Sequence, residues 1–166
     1  MGSPANFEYV IQLIPVLKEL ALKYEFVFRY ICRKNFDAEL TGIKTEHHFF
    51  CDDYYKILSS FDIGISPFLV ENLRTKGKIA MKHQEFMMCA IPQVCSAVAI
   101  SEFVENDKHV LIATNNNEWV ESLNVLLNDE AKRKKLGKES LDLFNQYYTY
   151  RSQFEKLKSV LTIISV

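Results

Sequence analysis

The 166-residue chain has 48% hydrophobic and 25% charged residues and a formal net charge of -1, the balance of an ordinary globular domain long enough to bury one sizeable core. Near-neutrality excludes a global electrostatic drive toward nucleic acid or an anionic membrane, so any anion site must be local. No apolar run approaches the ~20 residues that cross a bilayer, and the N-terminus lacks the charged and apolar regions of a signal peptide. Cys32, Cys51, Cys89 and Cys95 form no C-x-x-C pair and three of them lie in apolar stretches, which points to a reducing cytoplasm and no structural zinc.

From Phe7 to Lys23, Val10, Ile11, Ile14, Leu17, Leu20 and Ala21 recur at helical spacing, with Pro15 as an expected kink. The aromatic and branched runs Glu25 to Cys32 and Thr45 to Phe50 read as strands, and Asp62 to Ser66 as a third, closed by Pro67. A short helical pattern fills Asp53 to Ser60. Lys78 to Ala90 is helical again, Gln93 to Ser96 and His109 to Ala113 are strands, and Asn117 to Asn128, Glu130 to Tyr147 and Arg151 to Ile163 read as three consecutive helices. Strands separated by helices imply βαβ units, hence a Rossmann-like open parallel sheet with helices on both faces. In such sheets a ligand sits outside the carboxyl ends of the strands, here just after Ser3, Phe50, Ser66 and Ser96.

Arg74, Lys76, Lys78 and Lys82 surround Gly77, with no acidic residue between Glu71 and Glu85. Cations in a first helical turn oppose the helix dipole at a cost of ~0.3–1 kcal/mol each, and a bound anion would account for them. Gly77 lets a ligand approach the backbone, and the helix N-terminus behind it offers N–H groups suited to a diphosphate. Lys78, Lys82 and Glu85 share one helical stripe, so a carboxylate could take a ribose diol while the cations hold phosphates. Ile79, His83, Phe86 and Ala90 form a second stripe, assigned to the core. The competing account is a solvated helix with Lys82–Glu85 as a surface pair.

Gly77 to Pro92 resembles the G-K-x-x-x-K-x-x-E-x-x-A-x-G-x-P segment of retaining family 4 glycosyltransferases of the GT-B fold. Phe61 to Pro67 resembles the family's D-I-G-I-x-P strand, and Gly2 to Asn6 with Tyr9 its first glycine-rich turn. Ser96, Glu102 to Asp107, Trp119 and Leu136-Gly137 match later segments more loosely. The resemblance implies the C-terminal, nucleotide-sugar-binding half of such an enzyme over residues 1–166, with the acceptor-binding domain and the first strand of the sheet not encoded. It implies contact with the donor ribose by Glu85 and with the diphosphate by Lys78 and Arg74. Gly2, Ser3, Gly77 and Lys82 complete the expected donor site, with Lys78 and Glu85 as the catalytic pair.

Two departures bear on this. Gly77 stands where the family's E-x7-E motif has its first Glu, and Ser3 and Phe7 stand where basic residues follow the first strand. The absent first strand would leave two strand edges open unless the tail Val160 to Val166 or another chain fills the gap.

His47-His48 cannot readily share one metal, since adjacent strand residues point to opposite faces. Asp52-Asp53 is expected as a helix N-cap. Lys132-Arg133-Lys134-Lys135 is read as a solvated helix face, with peripheral membrane contact as the alternative. The expectation is therefore a cytoplasmic glycosyltransferase domain that needs neither metal nor cofactor. Its donor is a UDP- or GDP-linked hexose, its acceptor a glycan or lipid-linked molecule engaged through the other domain, and the 166 residues alone should not catalyse transfer. A non-catalytic nucleotide-binding module and a sugar-nucleotide epimerase are the alternatives.

Overall fold

The computed structural model describes residues 4–68 and 81–164. The N-terminal apolar periodicity folds as a 3-10 turn at Pro4–Asn6, α1 at Phe7–Ile11 and α2 at Ile14–Ala21. The break falls at Gln12 and Leu13, and Pro15 lies in the first turn of α2, where its missing N–H forfeits no helical bond. Pro15 thus starts a helix where the sequence suggested a kink within one.

Strand β1 (Phe28–Ile31) pairs in parallel with β2 (Thr45–His48). Both are shorter than their apolar runs, because the ladder extends only from the Phe28 N–H on the Lys44 carbonyl to the Cys32 N–H on the His48 carbonyl. Helix α3 (Tyr54–Leu58), β3 (Gly64–Ser66), α4 (Met81–Met88), β4 (Gln93–Ser96) and β5 (Leu111–Ala113) follow. Helices α5 (Asn116–Asn128), α6 (Glu130–Tyr147) and α7 (Tyr150–Ile164) end the chain. Capping fixes two of these starts. The Asn115 side chain accepts the Glu118 N–H, and that of Asp129 accepts the Lys132 N–H.

The strands form two parallel sheets, β1–β2 and β3–β4–β5. Helices lie on both faces. On one, α1, α2 and α5 bury Leu17, Leu20, Trp119 and Leu123 against Tyr30, Cys32 and Val94. On the other, Leu58 of α3 and Phe86 of α4 meet Ile31, while Met87 and Leu143 of α6 cover Cys95 and Val110. The alternation of Tyr30 and Ile31, and of Val94 and Cys95, between faces is the two-residue period of a strand buried on both sides.

Among the described residues no strand joins β1 to β3. A cavity of about 540 Å³ separates them, lined by both strands and by Leu17, Leu20 and Phe86. Val160 to Ile164 belong to α7, so this part of the tail is helical and does not supply such a strand.

Candidate functional site at the carboxyl ends of the strands

Helix α4 carries the described part of the expected site. Its Glu85 is half-buried and accepts a 3.0 Å hydrogen bond from the Tyr54 hydroxyl of α3. Burial raises the Glu85 pKa, against the opposing effects of the Tyr54 bond and the Lys82 charge. Burial also raises that of Tyr54, with Tyr55 and Glu85 adding to it, so the phenol keeps its proton and remains a donor. Tyr54 stacks on Phe50 at 4.8 Å between ring centroids and meets Tyr55 at 4.1 Å. Phe50 and Tyr55 are exposed, leaving aromatic surface beside the carboxylate.

Three residues before Glu85, the Lys82 ammonium lies 5.5 Å from the centre of the Phe68 ring. Phe68 is held at the end of β3 because its N–H donates to the Ser96 hydroxyl at 2.9 Å and that hydroxyl donates to its carbonyl at 3.1 Å. Tyr9 of α1 packs on the same ring at 5.4 Å. The ends of β3 and β4 and two helices therefore meet around Phe68. Ser66, also at the end of β3, has a buried hydroxyl without a hydrogen-bond partner.

The expected residues thus divide. Glu85 and Lys82 share one side of α4, as their spacing indicated. Gly2, Ser3, Arg74, Gly77 and Lys78 lie outside the described residues. Tyr54 is the Glu85 partner that local sequence patterns did not single out. The only signal for it was the density of aromatic residues from Phe49 to Tyr55. Of the core stripe, His83 and Phe86 are buried and Ala90 is exposed, because α4 ends before it and Ala90 takes a left-handed φ of 54°. His47 contacts the Cys32 carbonyl and His48 the Glu46 carboxylate. Asp53 sits at the N-cap of α3 but pairs with Lys56 in place of capping through its side chain. The described residues contain no cluster of three metal-ligating side chains.

His83 is an internal feature of α4. Its Nδ1 hydrogen donates to the Gln93 side-chain carbonyl at 2.7 Å, the Gln93 amide donates to the His83 backbone carbonyl at 3.3 Å, and Nε2 has no partner. Burial lowers the His83 pKa, since a second ring proton would find no acceptor. The unfolded chain then binds a proton that the folded chain refuses, so stability is full above the ordinary value of 6.5 and falls as pH drops below it. Denaturant titrations from pH 7 to 5 are expected to show a smaller slope for His83→Leu than for the parent, by at most about 1.4 kcal/mol per pH unit for one proton. His109, shifted in the same direction, leaves a residual slope in both. Equal slopes would show that His83 titrates normally in the folded state.

Residues 13–159 match the glycosyl transferase-like family. The chain belongs to that family. No curated protein sequence matches it. Among solved structures, the glycosyltransferase-like domain is similar to the C-terminal domain of a group 1 glycosyl transferase (LpcC) from Francisella tularensis. The identity is 15% and the TM-score 0.70, with 90% of this chain and 84% of that one covered. HepE of Anabaena, solved in complex with UDP and glucose, matches at 15% identity and a TM-score of 0.67, covering 95% of this chain and 45% of its own. Sucrose-phosphate synthase from Thermosynechococcus elongatus matches at 16% and 0.62, covering 94% and 43%. The domain therefore has the fold of the C-terminal half of GT-B enzymes and spans under half the length of the latter two proteins.

Proposed function

We propose that this domain binds the nucleotide part of a UDP- or GDP-linked sugar at the carboxyl ends of the strands and serves a retaining hexosyltransferase. The observation that carries the proposal is the half-buried Glu85 carboxylate, oriented by the Tyr54 hydroxyl on the same helix side as Lys82. A carboxylate so held has acceptor capacity left for a ribose diol. In this reading Lys78, Arg74 and Lys82 neutralise the diphosphate, Gly77 allows its close approach, and Gly2 and Ser3 offer backbone contacts. Fixed cations would stabilise the departing diphosphate without a metal. The acceptor, a glycan or a lipid-linked molecule, would be held by a separate domain, with residues 1–166 forming one nucleotide-sugar-binding unit. Four unpaired cysteines suit a reducing, cytoplasmic setting, and no described helix is long and apolar enough to cross a membrane.

Family membership and the UDP and glucose bound to HepE support this reading. Calorimetry with UDP, GDP and inorganic diphosphate tests it. Glu85→Gln is expected to weaken nucleoside diphosphate binding by about tenfold, the scale of one lost hydrogen bond to a charged group, and to spare inorganic diphosphate. Lys78→Ala is expected to weaken both phosphate ligands and to have the larger effect on inorganic diphosphate. Equal losses for every ligand in both variants would remove the assigned roles. Gly77 in place of a carboxylate favours a second reading, a nucleotide-binding module without catalysis. Sugar transfer by a protein containing the acceptor domain would exclude it.

A further inference from the structure

Helix α7 turns its polar side to the domain and its apolar side outward. Tyr150, Phe154, Leu157 and Leu161 follow one another at intervals of four, three and four residues, which sets them on one stripe about 60° wide. All four are exposed, Tyr150 at 98% and Phe154 at 62%, and Val160 beside them is exposed as well. Ser152 and Lys156 lie on the opposite side of the helix. Ser152 is the only one of residues 150–161 that is not exposed, and the Lys156 ammonium sits over the Phe103 and Tyr147 rings at 5.3 and 5.2 Å. An amphipathic helix that serves its own core has the reverse orientation. A continuous apolar stripe facing outward therefore marks a surface that meets something apolar outside the domain.

The charges select the partner. Three cations of this helix, Arg151, Lys156 and Lys158, stand against one carboxylate, Glu155, in a chain whose net charge is -1. Lys158 and Arg151 border the stripe on the Phe154 side, Lys156 borders it beyond Val160, and Glu155 falls between them on the polar side. Lysine is depleted where proteins meet proteins, whereas cations beside an aromatic and aliphatic stripe are the pattern of a helix lying in a membrane interface. Their stems can follow the apolar surface while the charged ends reach lipid phosphates. Lys132, Arg133 and Lys134 of α6 are engaged within the domain, with Asp107, the Leu126 carbonyl and Glu130.

We propose that α7 is a membrane-surface site whose partner is a bilayer carrying anionic lipid. The helix lies along the bilayer, with Tyr150, Phe154, Leu157 and Leu161 among the upper acyl chains and Arg151 and Lys158 at the phosphates. Its 15 residues are marginal for a helix that stands alone in water, so burying the stripe also stabilises the helix. The contact is reversible and confined to one leaflet, since no described helix is long and apolar enough to cross a membrane.

Co-sedimentation of the whole chain with vesicles tests this, using phosphatidylcholine alone and phosphatidylcholine with roughly one part in three phosphatidylglycerol. Binding to the anionic vesicles is expected to be at least about tenfold tighter than to the neutral ones. Phe154→Asp combined with Leu157→Asp is expected to weaken it about a hundredfold or more, and Arg151→Gln about fivefold. These side chains are exposed, so the thermal midpoint of the domain is expected to stay in place, which separates lost binding from lost folding. The circular-dichroism helix signal is expected to rise with anionic vesicles in the parent and not in the double Asp variant. No binding to the anionic vesicles, or equal binding by the double Asp variant, overturns the proposal. Equal binding to both kinds of vesicle overturns the anionic assignment. A dimer that the Asp substitutions abolish, without vesicle binding, assigns the stripe to a second copy and overturns the proposal as well. Loss of vesicle binding in a longer protein containing the acceptor domain does the same, by showing that this domain covers the stripe.

Discussion

Phe86→Ala is expected to lower the unfolding free energy by about 3–5 kcal/mol, the range for deleting a fully buried aromatic ring. Phe86 is 2% exposed and packs with Ile31, Leu58 and Ile91 in the core between α4 and the sheets. Its ring also lies directly on Gly64, where an added Cβ would stand 2.9 Å from it. The loss belongs at the upper end of the range, because the ring already borders the cavity between β1 and β3. Neighbours cannot close over a void that opens onto another void. Urea denaturation, with the transition midpoint and slope fitted separately, measures the effect. A loss below about 1.5 kcal/mol would mean that α4 is not anchored through this ring. Since Glu85 is the preceding residue on the same helix, nucleotide affinity should fall in this variant as well, which is why binding tests belong on Glu85→Gln.

Gly137→Val is expected to cost about 3 kcal/mol or more, at the upper end for overpacking, because the obstacle is backbone. Gly137 lies inside α6, and a Cβ there would run into the carbonyl of Ala90, just beyond the end of α4, with Pro92 close behind. In an exposed helix, replacing Gly by Ala would gain roughly 1 kcal/mol from propensity. Here even Ala is expected to destabilise, because the turn that follows α4 meets α6 through its Ala90 carbonyl and one of the two must move to admit a side chain. Thermal unfolding of both variants checks the sign. A rise in the midpoint for Gly137→Ala would show that the helices have room to separate.

Both effects act on α4, the helix that carries the candidate site, and they mark what was readable locally and what was not. Gln93–Ser96 and Glu130–Tyr147 fold with the boundaries their patterns indicate, because an apolar run between punctuating residues and an Asp at a helix start are signals within a few positions of the element itself. The placement of Lys82 and Glu85 on one side of a helix is likewise a matter of 3.6-residue geometry. Pro15 was legible as a helix-affecting residue, while its position in a first turn depended on the chain breaking at Leu13.

The tertiary structure decided everything that joins distant positions. The Tyr54 hydroxyl reaches Glu85 across 31 positions of sequence, and the hydrogen-bonded pair of His83 and Gln93 binds a helix to the strand that follows it. No periodicity encodes such contacts, since each residue type is ordinary in its own element. Gly137 looks like a weak point in a helix until the Ala90 carbonyl is found against it. That the described strands divide into two sheets with a cavity between β1 and β3 is likewise visible only in the ladders. Hydrogen-bond direction alternates along a strand independently of side-chain identity, so which side of β1 and β3 borders the cavity is set by the pairing partners on the other side.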